Sequence, residues 1–189
     1  MNIGIFCSAN DAISKQYFER TEEVARWCAR GGHSIVFGGC AMGLMGCVAR
    51  AFFDEQQRMK ASVQNAQGGE LIGVVPRLIE EGGRMSPLLT RCIPCNNLSD
   101  RKDLLLAHSD VIVALPGGIG TLDEIFTVAA SKTIGYHRKQ VILYHPNGFW
   151  SPLVALLESL QQKGMIRGRW SDYINEARTL DELASCVVG

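Results

Sequence analysis

The sequence predicts an α/β fold: a single-domain, doubly wound (Rossmann-like) parallel sheet with helices on both faces. Short runs of apolar residues alternate along the chain with longer segments whose apolar residues recur at helical spacing. The short runs are continuously apolar, which is typical of parallel strands that are covered on both sides. The 189 residues contain no linker, repeat or low-complexity tract, so we expect one domain over residues 1–189.

The sequence marks each predicted strand, helix and loop separately. The predicted strands are the apolar runs Asn2–Phe6, Ser34–Phe37, Leu71–Val75, Leu88–Ile93, Val111–Leu115 and Val141–Tyr144. The predicted helices run from about Ile13 to the Gly31–Gly32 pair, from about Leu44 to Met59, from Leu98 to His108, from Thr121 to about Ile134, from about Pro152 to Gln162, and after Thr179. The polar stretch Ala61–Gly69 predicts a loop. Ser99 or Asp100 is expected to cap the helix that begins at Leu98.

Charge and composition argue against several classes of function. The 19 lysine and arginine residues balance 19 aspartate and glutamate residues, and no basic block stands out, which disfavours nucleic-acid binding. The N-terminus lacks a positively charged leader. No apolar run approaches the roughly 20 residues that a membrane span requires. We therefore expect a soluble, cytoplasmic protein without a membrane partner.

The seven cysteines are an odd number and lie scattered through apolar segments, which favours reduced, buried thiols. One local pair, Cys92 and Cys95, leaves alternatives open, because a CxxC sequence can be half a zinc site or a redox pair. No second CxxC and no HxxxH accompanies it. We therefore expect these two residues to be small side chains near the end of a strand, and we expect no metal site.

Two loops of the predicted sheet are rich in glycine. Ligands of doubly wound folds bind beyond the carboxyl ends of the strands, which here are the loops after Phe6, Phe37, Ile93 and Leu115. The loop after Phe37 reads GGCAMGLMG, and the loop after Leu115 reads PGGIGT. Glycine lets main-chain N–H groups approach an anion directly, and the helix dipole adds about half a positive charge at a helix start. The second loop therefore predicts a phosphate site at about Gly118–Thr121. The GxGxxG sequence of dinucleotide-binding proteins does not follow the first strand, which argues against an NAD-dependent dehydrogenase.

Thr121 and Glu124 allow a structural alternative. A threonine followed three residues later by glutamate matches a capping box, in which both side chains bond free N–H groups of the first helical turn. The glycines would then only form a tight turn. A capping glutamate would compete with a bound phosphate for the same donors, and three glycines exceed what a cap requires, so we favour phosphate binding.

The segment LSDRKDLL, Leu98 to Leu105, places two cations at a helix start. Arg101 and Lys102 lie there against the helix dipole, at a cost of about 0.3–1 kcal/mol each. An unfavourable local choice of this kind hints at function. The alternative is that neighbouring acidic residues offset the charge and that both cations are solvated.

The two motifs resemble those of the LOG ("Lonely Guy") phosphoribohydrolase family, many of whose members were once labelled lysine decarboxylases. PGGIGTLDE, Pro116 to Glu124, fits the family pattern PGGxGTxxE at every fixed position. LSDRKDLL resembles its MxxRKxxM with both methionines replaced by leucine. The similarity extends from the first strand through GGCAMGLMG and GGELIGVVP to the helix after Trp150, which is nearly the whole chain.

The resemblance implies a hydrolase that cleaves the N-glycosidic bond of AMP, or of AMP carrying a cytokinin-type N6 substituent, to the free base and ribose 5-phosphate. It implies that Arg101 and Glu124 are catalytic. It implies that phosphate and substrate contacts come from Gly117, Gly118, Gly120, Thr121, Gly38, Gly39, Gly43, Ser8 and Lys102. It also implies a homodimer with active sites near the shared interface, and neither a metal ion nor an organic cofactor.

Two other functions are alternatives. A non-catalytic nucleotide-binding or cofactor-binding protein on the same fold, such as a molybdenum-cofactor carrier, would keep the glycine loop but would not need a paired arginine and glutamate. Lysine decarboxylation ordinarily needs pyridoxal phosphate on a lysine, and neither glycine loop contains one. The sequence therefore favours the hydrolase.

Overall fold

A computed structural model describes residues 1–62, 68–77 and 82–188 of the chain. Its strands are β1 (Asn2–Phe6), β2 (Ser34–Phe37), β3 (Leu71–Pro76), β4 (Arg91–Cys95), β5 (Val111–Ala114), β6 (Val141–Tyr144) and β7 (Ile174–Ala177). Its helices are α1 (Lys15–Arg30), α2 (Gly43–Ser62), α3 (Leu98–His108), α4 (Ile119–Thr133), α5 (Ser151–Gln162) and α6 (Leu180–Val188), with a 3-10 turn at Trp170–Asp172. Residues 63–67 of the predicted loop lie outside the described residues.

The described strands form one parallel sheet in the order β4-β3-β2-β1-β5-β6-β7. This confirms the predicted fold class. From β1 to β4 the chain moves toward one edge of the sheet, and from β5 to β7 it moves toward the other. The direction of winding therefore reverses between β1 and β5, and the crevice at such a reversal is where doubly wound folds bind ligands.

Each face of the sheet buries its own apolar cluster. Ile35 and Phe37 of β2 face the cluster covered by α1, α2 and α6, whereas Val36 between them faces the cluster covered by α3, α4 and α5. Successive side chains of a strand point to opposite faces, so a strand that is covered on both sides must be apolar at every position. This is why the central strands read as continuous apolar runs.

The two edge strands were predicted poorly. The strand predicted at Leu88–Ile93 lies at Arg91–Cys95, and Leu88 and Leu89 pack on the core from the preceding loop instead. Pro94 is tolerated there because β4 has a neighbour on only one side. Strand β7, Ile174–Ala177, was not predicted at all. Its two central residues are polar and only half buried, so the segment lacks the apolar run that marks the inner strands.

The starts of two helices also differ from prediction. The cap of α3 is Asn97, whose side-chain oxygen accepts the N–H groups of Ser99 and Asp100 at 2.9 Å each, so neither of the two predicted residues is the cap. Helix α4 begins at Ile119, two residues before the predicted start at Thr121. Thr121 therefore lies inside the first turn rather than at the cap position.

The described residues were compared with the requirements of a membrane span and of a metal site. No helix among them is both long and apolar enough to cross a bilayer. No group of three or more histidine, cysteine or acidic side chains among them is arranged to hold a metal ion. Cys92 is exposed and Cys186 is half buried, whereas the other cysteines are buried thiols: Cys7, Cys28, Cys40, Cys47 and Cys95.

Candidate active site

A cleft of about 290 Å³ opens at the carboxyl ends of β1 and β5, where the winding of the sheet reverses. We call it the β1/β5 cleft. The loop after β1, the first turns of α2 and α4, and one side chain of α3 form its walls. The lining residues are Cys7, Ser8, Ala9, Asn10, Met45, Arg101, Gly118, Gly120, Thr121 and Glu124.

The glycine loop after β5 ends at the uncapped start of α4. Gly118 is the N-cap residue. Because glycine has no side chain, the first turn of α4 receives no side-chain hydrogen bond from its cap position. The N–H of Leu122 bonds to the carbonyl of Gly118 at 3.0 Å. The N–H groups of residues 119–121 precede this bond and have no partner within the helix. These donors and the positive end of the helix dipole favour negative charge at the edge of the cleft.

Glycine occupies the positions of this loop for different physical reasons. A Cβ added to Gly117 would lie 2.1 Å from the Oγ1 of Thr121, so the fold itself requires glycine there. A Cβ added to Gly118 or Gly120 would have no described heavy atom within 4 Å. Packing against described atoms therefore does not explain these two glycines.

Glu124 lies one turn into α4 and lines the cleft instead of capping its helix. Its Oε1 is 3.7 Å from Nη1 of Arg101, which reaches the cleft from α3. Since Gly118 holds the cap position and Thr121 is the third helical residue, the arrangement that a capping box requires is not formed. The structural alternative for these two residues is therefore wrong.

The two cations at the start of α3 are bonded to protein groups and are not freely solvated. The side chain of Arg101 is only 16% exposed, and its Nε donates to the carbonyl oxygen of Val74 at 3.3 Å. The ammonium of Lys102 contacts the carboxylate of Asp123 at 2.9 Å and so links α3 to α4 beside the cleft. The alternative of two solvated cations is wrong, and the positive charges at this helix start are turned toward the cleft and its neighbouring helix.

Burial controls the charge of Glu124. The residue is 7% exposed, and burial raises the pKa of its carboxyl group from 4.5 to about 7, with a smaller contribution from Asp123. Arg101 and Lys102 lower that pKa, but their attraction is outweighed. A carboxyl group with this pKa exchanges a proton readily near neutral pH, as a general acid or base must. Burial and the nearby Glu124 also raise the pKa of the Cys7 thiol well above its ordinary value, so Cys7 is a poor nucleophile.

The glycine loop after β2 is closed by protein groups. The carboxylate of Asp11 accepts the N–H of Gly43 at 2.8 Å, and the carbonyl of Ser8 accepts the N–H of Leu44 at 2.9 Å. Gly43 has a φ of +57°, and a Cβ there would lie 2.4 Å from the carbonyl carbon of Ala9. The first turn of α2 therefore donates its N–H groups to the loop after β1. The first N–H groups of α4, in contrast, have no partner within their helix.

The structure brings most of the predicted site residues to one place. Ser8, Gly118, Gly120, Thr121, Arg101 and Glu124 line the cleft. The other predicted residues lie behind or beside its walls: Gly38, Gly39, Gly43, Gly117 and Lys102. Sequence reasoning did not single out Cys7, Ala9, Asn10 and Met45, which also line it. The signal for the first three was their position directly after β1, and the signal for Met45 was its place in the glycine loop after β2.

A family match accounts for the two motifs. The sequence profile of the family described as "Possible lysine decarboxylase" matches residues 45–187, which include both motifs of the cleft. The chain belongs to this family, the LOG family. A cytokinin riboside 5′-monophosphate phosphoribohydrolase of Rhodococcoides fascians is 30% identical over 87% of this chain and 78% of its own length. A probable enzyme of the same name from Oryza sativa subsp. japonica is 27% identical over 95% of this chain and 79% of its own length.

Solved structures share the fold of this LOG-family chain. A molybdenum cofactor carrier protein from Chlamydomonas reinhardtii matches 99% of this chain and 95% of its own, with a TM-score of 0.71 and 19% identity. A molybdenum cofactor binding protein from Rippkaea orientalis matches 99% and 94%, with a TM-score of 0.68 and 18% identity. At these identities the likeness shows the fold alone. Because a shared fold does not fix function, the chemistry of the cleft decides what this chain does.

Proposed function

We propose that this LOG-family chain hydrolyses the N-glycosidic bond of a nucleoside 5′-monophosphate, AMP or N6-substituted AMP, giving the free base and ribose 5-phosphate. The observation that carries the proposal is the composition of one cleft. A buried carboxylate, a guanidinium group 3.7 Å away and an uncapped helix start meet there. The names of the relatives from Rhodococcoides fascians and Oryza sativa support the same activity.

The first turn of α4 suits the 5′-phosphate. Free N–H groups and the positive end of the helix dipole attract the dianion, and the absence of side chains at Gly118 and Gly120 lets it approach the main chain. Glu124 lies four residues beyond Gly120 on the same helix, which is about 6 Å along the axis. That is the scale of a ribose with its 5′-carbon, so a phosphate held at the helix start directs C1′ toward the carboxylate.

The side chains of Glu124 and Arg101 match the charges that develop in the reaction. The C1′–N bond breaks with its electron pair going to the base, which leaves positive charge on the sugar. The carboxylate of Glu124 stabilises that charge and takes a proton from the water whose oxygen bonds to C1′. Arg101 donates hydrogen bonds to the departing base, which gains negative charge and then receives the proton that Glu124 took from the water. A protein that only carries a nucleotide or cofactor would not need a carboxylate that faces a guanidinium group.

The outer face of α4 supports a homodimer. Ile119 is 87% exposed, and Phe126, seven residues later on the same side of the helix, is also exposed. Leu98, at the start of the neighbouring α3, is exposed as well. Ile119 lies between two glycines that line the β1/β5 cleft, and a second copy of the chain would remove these apolar side chains from water. The active sites would then lie near the shared interface.

Product analysis tests the proposed reaction. The protein is incubated separately with AMP, N6-isopentenyl-AMP and adenosine, and the free base and ribose 5-phosphate are separated by chromatography. We expect base and ribose 5-phosphate in equal amounts from at least one nucleotide, and little base from adenosine, which lacks the phosphate anchor. Nucleotide binding without release of base would favour the carrier function. The ratio of kcat/KM for the two nucleotides decides between cytokinin activation and use of plain AMP.

A further inference from the structure

Gly38 lies directly after β2, is buried, and lies against the guanidinium group of Arg101. A Cβ built on Gly38 would lie 1.9 Å from Nη2 and 3.1 Å from Cζ of Arg101, and 3.1 Å from Sδ of Met45. Real Cβ atoms essentially never approach a heavy atom within 3.0 Å. The guanidinium group therefore occupies the space that any side chain at position 38 would need.

Few other contacts fix the guanidinium group. Its Nε donates to the carbonyl oxygen of Val74 at 3.3 Å, which is a long hydrogen bond. Its Nη1 lies 3.7 Å from the carboxylate of Glu124, beyond hydrogen-bond distance. A guanidinium group has five N–H donors, and only the one on Nε makes a hydrogen bond to a described group. Contact with the main chain at Gly38 is thus one of the main restraints on where these donors point.

Neighbouring glycines bring the main chain at position 38 close to the end of β3. Gly39 has a φ of +70°, and a Cβ there would lie 2.5 Å from Cγ2 of Val75. A Cβ at Gly73 would lie 3.1 Å from the Cα of Gly39. The close approach of these two backbones places Gly38 beside the carbonyl of Val74, which receives the Arg101 hydrogen bond. The glycines at the start of the loop after β2 therefore leave the space that the side chain of Arg101 occupies.

We propose that Gly38 is a positioning residue that acts through Arg101: the space left by its missing side chain holds the guanidinium group against Glu124. In this role Gly38 contacts neither the phosphate nor the base. The kinetic consequence rests on the proposed function, whereas the placement of Arg101 does not. Because the atoms in the way belong to the flexible end of an arginine, an added methyl group displaces Arg101 and spares the core.

The first test is a double-mutant cycle with Gly38→Ala and Arg101→Lys. A displacement of about 1 Å in a catalytic group costs up to roughly 100-fold in rate, so we expect Gly38→Ala to lower kcat by about 10-fold or more with KM within about 3-fold. Lysine lacks the planar fork that fills the space over Gly38. In the Arg101→Lys background, Gly38→Ala should therefore add less than about 3-fold, because the two changes act on one contact.

The second test does not depend on activity. The carboxyl group of Glu124 is titrated by 13C NMR in the wild type, in Gly38→Ala and in Gly120→Ala. The charged and titratable groups near this carboxyl are Arg101 and Lys102 of α3, Asp123 of α4 and Cys7 after β1. Moving Arg101 should shift the midpoint in Gly38→Ala. Gly120→Ala adds the same methyl group to the same cleft, but into open space, and should leave the midpoint unchanged.

The outcomes separate the two proposals. An unchanged midpoint in Gly38→Ala, a loss expressed only in KM, an equal loss in the Arg101→Lys background, or failure of Gly38→Ala to fold would each overturn the positioning role. A wild-type protein that releases no base from either nucleotide would instead contradict the proposed function. The titration would still decide whether Gly38 places Arg101.

Discussion

Replacing Glu124 with glutamine should raise stability and remove activity. The raised pKa means that the folded protein binds a proton more tightly than the unfolded chain between pH 4.5 and about 7. The unfolding free energy therefore falls as pH rises through this window, and the full penalty is present above pH 7. A shift from 4.5 to about 7, at 1.36 kcal/mol per pH unit, corresponds to about 3 kcal/mol. Glutamine has the same shape without the charge.

The assay is thermal unfolding of both proteins from pH 5 to pH 8. For a chain of this size about 3 kcal/mol corresponds to roughly 6–12 °C in melting temperature. We expect Glu124→Gln to melt higher than the wild type by up to this amount at pH 8 and by little at pH 5. Asp123→Asn is the matched control, because that neighbouring side chain is 56% exposed and lies on Lys102. It should lack the gain.

Opposite results would refute the reasoning. A glutamine variant that is less stable than the wild type at pH 8, or a difference that does not vary between pH 5 and pH 8, would mean that the carboxylate stabilises the fold. The same variant should lose turnover while its nucleotide affinity stays within a few-fold, because the phosphate is bound by the first turn of α4 and not by Glu124.

Three further predictions address the pH dependence, the phosphate site and the dimer. First, kcat should rise with pH to a plateau with a midpoint of about 7, because only ionised Glu124 can take a proton from water; initial rates from pH 5 to pH 9 check this, and a flat profile would contradict it. Second, Gly120→Asp should raise KM for AMP by at least about 10-fold with a smaller effect on kcat, since a carboxylate at the open helix start repels the phosphate; steady-state kinetics measure it, and an unchanged KM would place the phosphate elsewhere. Third, Phe126→Glu should convert a dimer to a monomer in light scattering, whereas Leu156→Glu, an exposed residue of α5, should not; a wild-type monomer would contradict the proposed interface.

The inner strands could be predicted because burial on both faces forces a continuous apolar run. Ser34–Phe37 and Val141–Tyr144 match the predicted bounds for this reason. The edge strands β4 and β7 escaped that rule, because one neighbour and partial exposure permit polar residues and proline. The cap of α3 was misplaced because several residues near Asn97 can accept a hydrogen bond, and the chain path alone decides which one does.

The candidate site was predictable where its residues carry charge or break a local preference. Arg101 at a helix start and Glu124 after a glycine loop both stood out from the sequence. Their opposition at 3.7 Å, and the lining by Met45, depend on how separate segments meet and could not be derived locally. The same holds for the contact between Gly38 and Arg101, because a glycine in a loop does not reveal which side chain uses its space.

The most direct test of the proposed reaction is the yield of free base and ribose 5-phosphate from AMP and N6-isopentenyl-AMP, with wild-type protein and Glu124→Gln compared side by side. The wild type should release the two products in equal amounts from at least one nucleotide, and the variant should bind that nucleotide but release neither. Equal release by both proteins, or release by neither, would contradict the role of the buried carboxylate in cleaving the glycosidic bond.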